Sequence, residues 1–161
     1  MRRRVRQACV LTTLTIAFSL VYGAESARVT DAWIEEGPPG VPVLAGYVLI
    51  QNPTAQTARV VKVASPRAER IEIHRTDITE NTATMTRVSV LPIPPGGEIR
   101  FSPNGYHLMI FGVQEPPGPG EKVPLSFEFD GGSTVAVDAI VRRAEAPEGN
   151  IDHSNPEHNG H

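Results

Sequence analysis

From residue 27 onward, apolar and polar residues alternate in short runs. The runs are Val29–Glu35, Gly46–Gln51, 59–63, 70–75, 84–91, 98–101, 106–113, 123–129 and 134–141. Arg70-Ile71-Glu72-Ile73-His74-Arg75 shows the pattern clearly: Ile71 and Ile73 alternate with Arg70, Glu72 and His74, the period of a half-buried strand. The gaps hold turn chemistry, as in Gly37-Pro38-Pro39-Gly40-Val41-Pro42, Pro92-Ile93-Pro94-Pro95-Gly96-Gly97, Ser102-Pro103-Asn104-Gly105, Pro116-Pro117-Gly118-Pro119-Gly120 and Asp130-Gly131-Gly132. Strands at this spacing predict an all-β sandwich or barrel. The 15 prolines leave no room for a long helix.

Both ends fall outside this pattern. Met1-Arg2-Arg3-Arg4-Val5-Arg6 followed by an apolar run from Ala8 to Tyr22 reads as a secretory signal over residues 1–26, with cleavage after Gly23 or Ser26. Residues 27–143 then form one domain, and residues 144–161, almost without apolar side chains, are expected to be a flexible tail. Removing the signal takes Arg2, Arg3, Arg4, Arg6 and Glu25 from 15 basic and 18 acidic residues, leaving 11 and 17, a net charge of −6. Nucleic acid and anionic membrane surfaces are poor partners for such a chain. The single cysteine, Cys9, lies within the signal, ahead of most of its apolar run, where it is badly placed for lipoprotein cleavage. The mature domain therefore has no thiol chemistry, no zinc-thiolate site and no blue-copper centre.

What remains is histidine and methionine. On the run Tyr106–Phe111, His107 and Met109 share one face while Tyr106, Leu108 and Ile110 take the other. His74 falls opposite Ile71 and Ile73. Met85 falls with Arg87 and Ser89, opposite Val88 and Val90, which are expected to face inward. All four thus sit on faces that the core does not claim. A thioether gains little by exposure, so imidazole and thioether together point to a soft metal ion, Cu(I).

The spacing His74-x10-Met85-x21-His107-x-Met109 resembles that of the periplasmic copper chaperone family PCuAC. The likeness extends to Asp31-Ala32-Trp33, to Pro38-Pro39-Gly40-Val41-Pro42, to Gly46-Tyr47, to Ile93-Pro94-Pro95-Gly96-Gly97 and to Gly105-Tyr106-His107-Leu108-Met109. The family often carries a methionine directly after the first histidine, a position held here by Arg75. The resemblance implies a cupredoxin-like Greek-key β-sandwich or barrel, and the domain is expected to be a monomer. It implies one Cu(I) held by His74, Met85, His107 and Met109. It further implies delivery to the binuclear copper centre of cytochrome c oxidase, with the copper-bearing oxidase subunit or a Sco-type thiol protein as partner, in the periplasm. Four neutral ligands suit a univalent ion, which can pass to a thiolate acceptor by stepwise ligand exchange, without catalysis. The alternative within the same chemistry is a periplasmic copper buffer or resistance protein with no dedicated acceptor.

The tail holds His153, His158 and His161 among Asp152, Glu157 and asparagines. That N/O set suits a second site for Cu(II), or for Zn(II), better than for Cu(I), with an equal case for incidental histidines on a solvated segment. No catalytic constellation is evident, because Ser65, Ser89 and Ser102 have no histidine in a triad arrangement and Asp31, Glu35 and Glu36 read as solvated. An adhesion or interaction sandwich with an accidental His/Met face is the rival from another class.

Overall fold

The computed structural model describes residues 26–38, 40–80 and 82–143. The expected signal segment (apart from Ser26) and the histidines of the tail lie outside them. Among the described residues every regular element is a strand: β1 Arg28–Glu35, β2 Val43–Gln51, β3 Ala58–Ala64, β4 Arg70–Thr79, β5 Thr82–Val88, β6 Leu91–Ile93, β7 Glu98–Arg100, β8 Tyr106–Phe111, β9 Lys122–Phe129 and β10 Thr134–Arg142. The expected all-β class holds.

The hydrogen-bonded order is β5-β4-β8-β2-β1-β10-β9-β3-β6, and β3 also meets β4 at Val63 opposite Ile71. That contact closes a barrel through β4, β8, β2, β1, β10, β9 and β3. β7 pairs with β2, and β5 and β6 hang on the outside as edges. β1 runs parallel to β10, while the other pairings are antiparallel. Neither β2 and β3 nor β8 and β9 are neighbours, so the chain crosses the barrel ends as Greek-key connections do.

Alternation fills the barrel. Ile34, Leu44, Val48, Ile50, Val60, Val63, Ile71, Ile73, Leu108, Ile110, Leu125, Phe127, Ala139 and Val141 are all buried in one core. Gly46 sits where a side chain would press on Ile110 and Leu108, with a β-carbon only 3.2 Å from Ile110 Cδ1. Its bareness lets those two residues fill the interior.

Three local features depart from the sequence expectation. The run over 84–91 splits: β5 ends at Val88, which is half-buried, the chain bends, and Val90 is exposed rather than inward. Pro92-Ile93, placed with the turn residues, instead joins Leu91 in a separate strand, with Leu91 and Ile93 wholly buried and paired with Val60 and Ala58. Proline is tolerated there because β6 is an edge. Finally, β1 carries a bulge between Thr30 and Trp33, with Asp31 in the left-handed region at φ 51°. The extra residue resets the alternation, so that Val29, Ala32 and Ile34 are all buried.

Candidate metal centre

The strand order brings the histidines together. β4 and β8 are antiparallel neighbours in which His74 lies directly opposite His107, and Glu72 opposite Met109. On the other side of β4, β5 places Arg87 opposite His74 and Met85 opposite Thr76. Residues directly opposite in a sheet share a face. His74, His107, Met109 and Met85 therefore all stand on the outer face of the barrel wall, since Ile71, Ile73, Leu108 and Ile110 take the inner one. Met109 is one step along β8 from the histidine pair, and Met85 is the diagonal neighbour of His74, about 7–8 Å away along the sheet. The two imidazole rings are 6.0 Å apart, centre to centre.

Arg75 lies opposite Tyr106, on the other side of β4 from His74. It pairs with Asp77 at 2.8 Å and stands over the Tyr106 ring. A methionine at that position would point away from the histidine face, so its absence leaves the four-residue face intact.

Burial differs along the set. Met85 is 54% exposed, Met109 half-buried, and His107 only 4% exposed. His107 faces away from the barrel interior, as the alternation predicts, yet it is covered. The same outer face also carries an aromatic layer. Ala45 lies opposite Met109 and Trp33 opposite Tyr47, so the register carries the histidine row onward through Tyr47 to Trp33. Trp33 and Tyr47 stack at 4.3 Å, with Arg142 over Trp33 at 5.2 Å. Burial and the neighbouring Glu35 carboxylate, whose Oε2 is 3.4 Å from the phenol, push Tyr47 up to about 12. The bulge at Asp31 is what turns Trp33 outward into this row.

Hydrogen bonds set the ring nitrogens apart. His107 Nδ1 lies 3.2 Å from the Gly105 carbonyl oxygen, and His74 Nε2 lies 2.9 Å from Glu72 Oε2. His74 Nδ1 is buried with no partner. An unpaired buried nitrogen is costly unless something else uses its lone pair. Glu72 also meets Arg70 at 3.3 Å and Arg87 at 3.6 Å. The His74 hydrogen bond, with the Arg87 and Arg70 charges, holds its carboxyl below the usual carboxylate range. Among the described residues no three His, Cys, Asp or Glu side chains are grouped to hold a metal ion. The further soft donors on this face are the thioethers of Met85 and Met109, and the orphaned His74 Nδ1 fits a metal guest.

Glu72 was the residue that sequence reasoning passed over, although it shares His74's face two positions earlier. Its spacing was visible in the sequence. The roles of Trp33 and Tyr47 were not, because they depend on which strand lies beside which.

A family model described as "Putative lipoprotein LpqE-like" matches residues 27–141. The chain belongs to this LpqE-like family. A putative lipoprotein of Leifsonia xyli subsp. xyli is 30% identical over 120 residues, covering 74% of this chain and 71% of the relative. Among solved structures, the copper(I)-loaded protein DR1885 of Deinococcus radiodurans is 29% identical with a TM-score of 0.60, over 75% of this chain and 83% of that one. The copper-bound PCuAC domain from PmoF2 superposes with a TM-score of 0.64 at 18% identity, over 76% of this chain and 97% of that one, a likeness of fold. This LpqE-like chain thus has the PCuAC fold, as its sequence resemblance implied.

Proposed function

We propose that this protein is an exported Cu(I) carrier, binding one ion through His74, Met85, His107 and Met109. The observation that carries the reading is the register of β4 against β8. It sets the two histidines face to face with both methionines on the same outer face. Two imidazoles and two thioethers, with no thiolate, form a soft neutral set that favours Cu(I) over Cu(II) or zinc. The copper(I) carried by the Deinococcus radiodurans protein supports the same metal here. The description of the family as putative lipoproteins supports a place in the cell envelope. The basic, apolar N-terminal segment supports the same location, and we place the mature domain in the periplasm.

Our reading of its role is delivery. A site partly open at Met85 and closed at His107 can release thioethers first and imidazoles last, handing the ion to an acceptor by ligand exchange. The binuclear copper centre of cytochrome c oxidase, reached directly or through a Sco-type thiol protein, is the acceptor we propose. His153, His158 and His161 offer a separate N/O set for Cu(II).

Anaerobic competition with a chromophoric Cu(I) chelator tests the site. The mature protein is expected to take one tight Cu(I), lost in Met85→Ala/Met109→Ala. Equal weak binding in both overturns the carrier reading in favour of an interaction domain. Mixing the loaded protein with an apo copper-bearing oxidase domain tests the role. Transfer supports delivery, and retention in the presence of a competent acceptor supports buffering.

A further inference from the structure

Glu72 is outside the proposed donor set, yet it is the carboxylate lodged against it. It lies directly across from Met109 and one step from His74 on the same face. Its side chain is only 14% exposed, and Arg70 at 3.3 Å and Arg87 at 3.6 Å keep it in place. An ionised carboxylate can only accept hydrogen bonds. The 2.9 Å contact to His74 Nε2 therefore puts the ring proton on Nε2 and leaves the lone pair on Nδ1, the buried nitrogen with no other partner. At His107 the logic is reversed. A backbone carbonyl likewise only accepts, so the 3.2 Å contact from Gly105 puts the proton on Nδ1 and the lone pair on Nε2. The two facing rings offer opposite nitrogens.

Resting on the Cu(I) reading above, we propose that Glu72 is a positioning residue that locks His74 in its Nε2–H tautomer, so that Cu(I) is bound through Nδ1 of His74 and Nε2 of His107. Metal-bound histidines commonly donate their second nitrogen to a carboxylate or a carbonyl, which fixes the ring and raises its basicity. Here one histidine has each kind of partner. The arginines matter in turn, because they hold the carboxylate on His74 and away from the metal.

Long-range 1H–15N NMR of the histidine rings in the mature protein, recorded near neutral pH, tests this directly. Apo wild type is expected to show His74 protonated at Nε2 and His107 at Nδ1. Diamagnetic Cu(I), added without air, should shift His74 Nδ1 and His107 Nε2 and leave the protonated nitrogens protonated. Glu72→Ala should give His74 a mixed tautomer and weaken Cu(I) binding about 10- to 100-fold. Glu72→Gln, whose amide oxygen still accepts, should restore the tautomer and most of the affinity. Cu(I) found on His74 Nε2, or Glu72→Ala with tautomer and affinity unchanged, overturns the inference and leaves the carrier reading intact. Wild type that binds no Cu(I) overturns the carrier reading, while the apo spectra still report whether Glu72 sets the tautomer. Should Glu72→Ala fail to fold, the wild-type spectra decide the matter alone.

Discussion

Asp31 shows how much of the candidate site hangs on single residues far from it in sequence. Its positive φ makes the bulge that turns Trp33 outward and Ile34 inward. Aspartate tolerates the left-handed region better than most residues, and valine does not. Asp31→Val is expected to lose about 1–2 kcal/mol from backbone strain alone. Asp31→Gly should stay within about 1 kcal/mol of wild type, since glycine adopts positive φ freely. Urea unfolding followed by Trp33 fluorescence distinguishes the two, and equal midpoints would remove the bulge from the argument. The salt bridge from Arg100 to Asp31, 3.5 Å long between two exposed groups, contributes little to either result. Tyr47, stacked on Trp33, gives the second prediction. The folded protein keeps the phenol proton up to about 12, whereas the unfolded chain releases it near 10. The folded state thus binds the extra proton in that window, so stability is intact below pH 10 and falls as pH rises from 10 to 12. Tyrosinate absorbance at 295 nm should show a late step near pH 12 that Tyr47→Phe removes. Neither effect was legible in the sequence. Alternation assumes an unbroken strand, and no local pattern marks where one extra residue enters β1.

Single elements carry two jobs at once, and β8 separates them most cleanly. Leu108 fills the barrel interior with no exposure while its neighbours His107 and Met109 face out. Leu108→Ala is expected to cost about 2–5 kcal/mol, the range for emptying a buried leucine site. Met85, 54% exposed on β5, supplies almost nothing to packing. Met85→Ala should therefore leave the urea midpoint within about 0.5 kcal/mol of wild type while weakening Cu(I) binding. A large loss of stability in Met85→Ala would mean that the methionine is there for packing. This division is also where the sequence was most readable. Ile71 and Ile73 set the parity that puts His74 outside, and Leu108 and Ile110 do the same for His107 and Met109. The pattern could not show that β4 and β8 are neighbours, because β5, β6 and β7 intervene in the chain and pairing at that range leaves no local trace. For the same reason Glu72, whose spacing from His74 was in plain view, acquired a meaning only once Met109 lay across from it. Exposure was equally hidden. His107 looked open by parity and is buried, and no local pattern showed that the β8–β2–β1 register runs its row on towards Tyr47 and Trp33.

At the scale of the whole molecule, the proposed ligands are unevenly supported, and this predicts where copper should be felt. All seven strands of the closed ring meet neighbours on both sides, and β4, β2 and β3 hold β5, β7 and β6 as well. β5 pairs with β4 alone, and its residues from Thr82 to Arg87 are all exposed. It should fray locally, with its amides exchanging far faster than those of β2 or β8, which open only with the barrel. A Cu(I) ion bound to Met85, His74, His107 and Met109 would tie β5 across β4 to β8. Opening β5 would then require losing a ligand. Native-state hydrogen exchange is expected to show the greatest local slowing in the β5 amides on adding Cu(I). β10, the strand farthest round the ring, should change only by the global term, about 2.7 kcal/mol when free Cu(I) is 100 times Kd. In Met85→Ala the added protection of β5 should vanish while β4 and β8, still joined through the two histidines, keep theirs. Exchange in β5 that is equally fast with and without Cu(I) would mean that Met85 does not hold the ion, and that the site is a three-ligand one confined to the barrel wall. That outcome would move the proposed release step from the methionine on the edge strand to Met109, beside the aromatic layer.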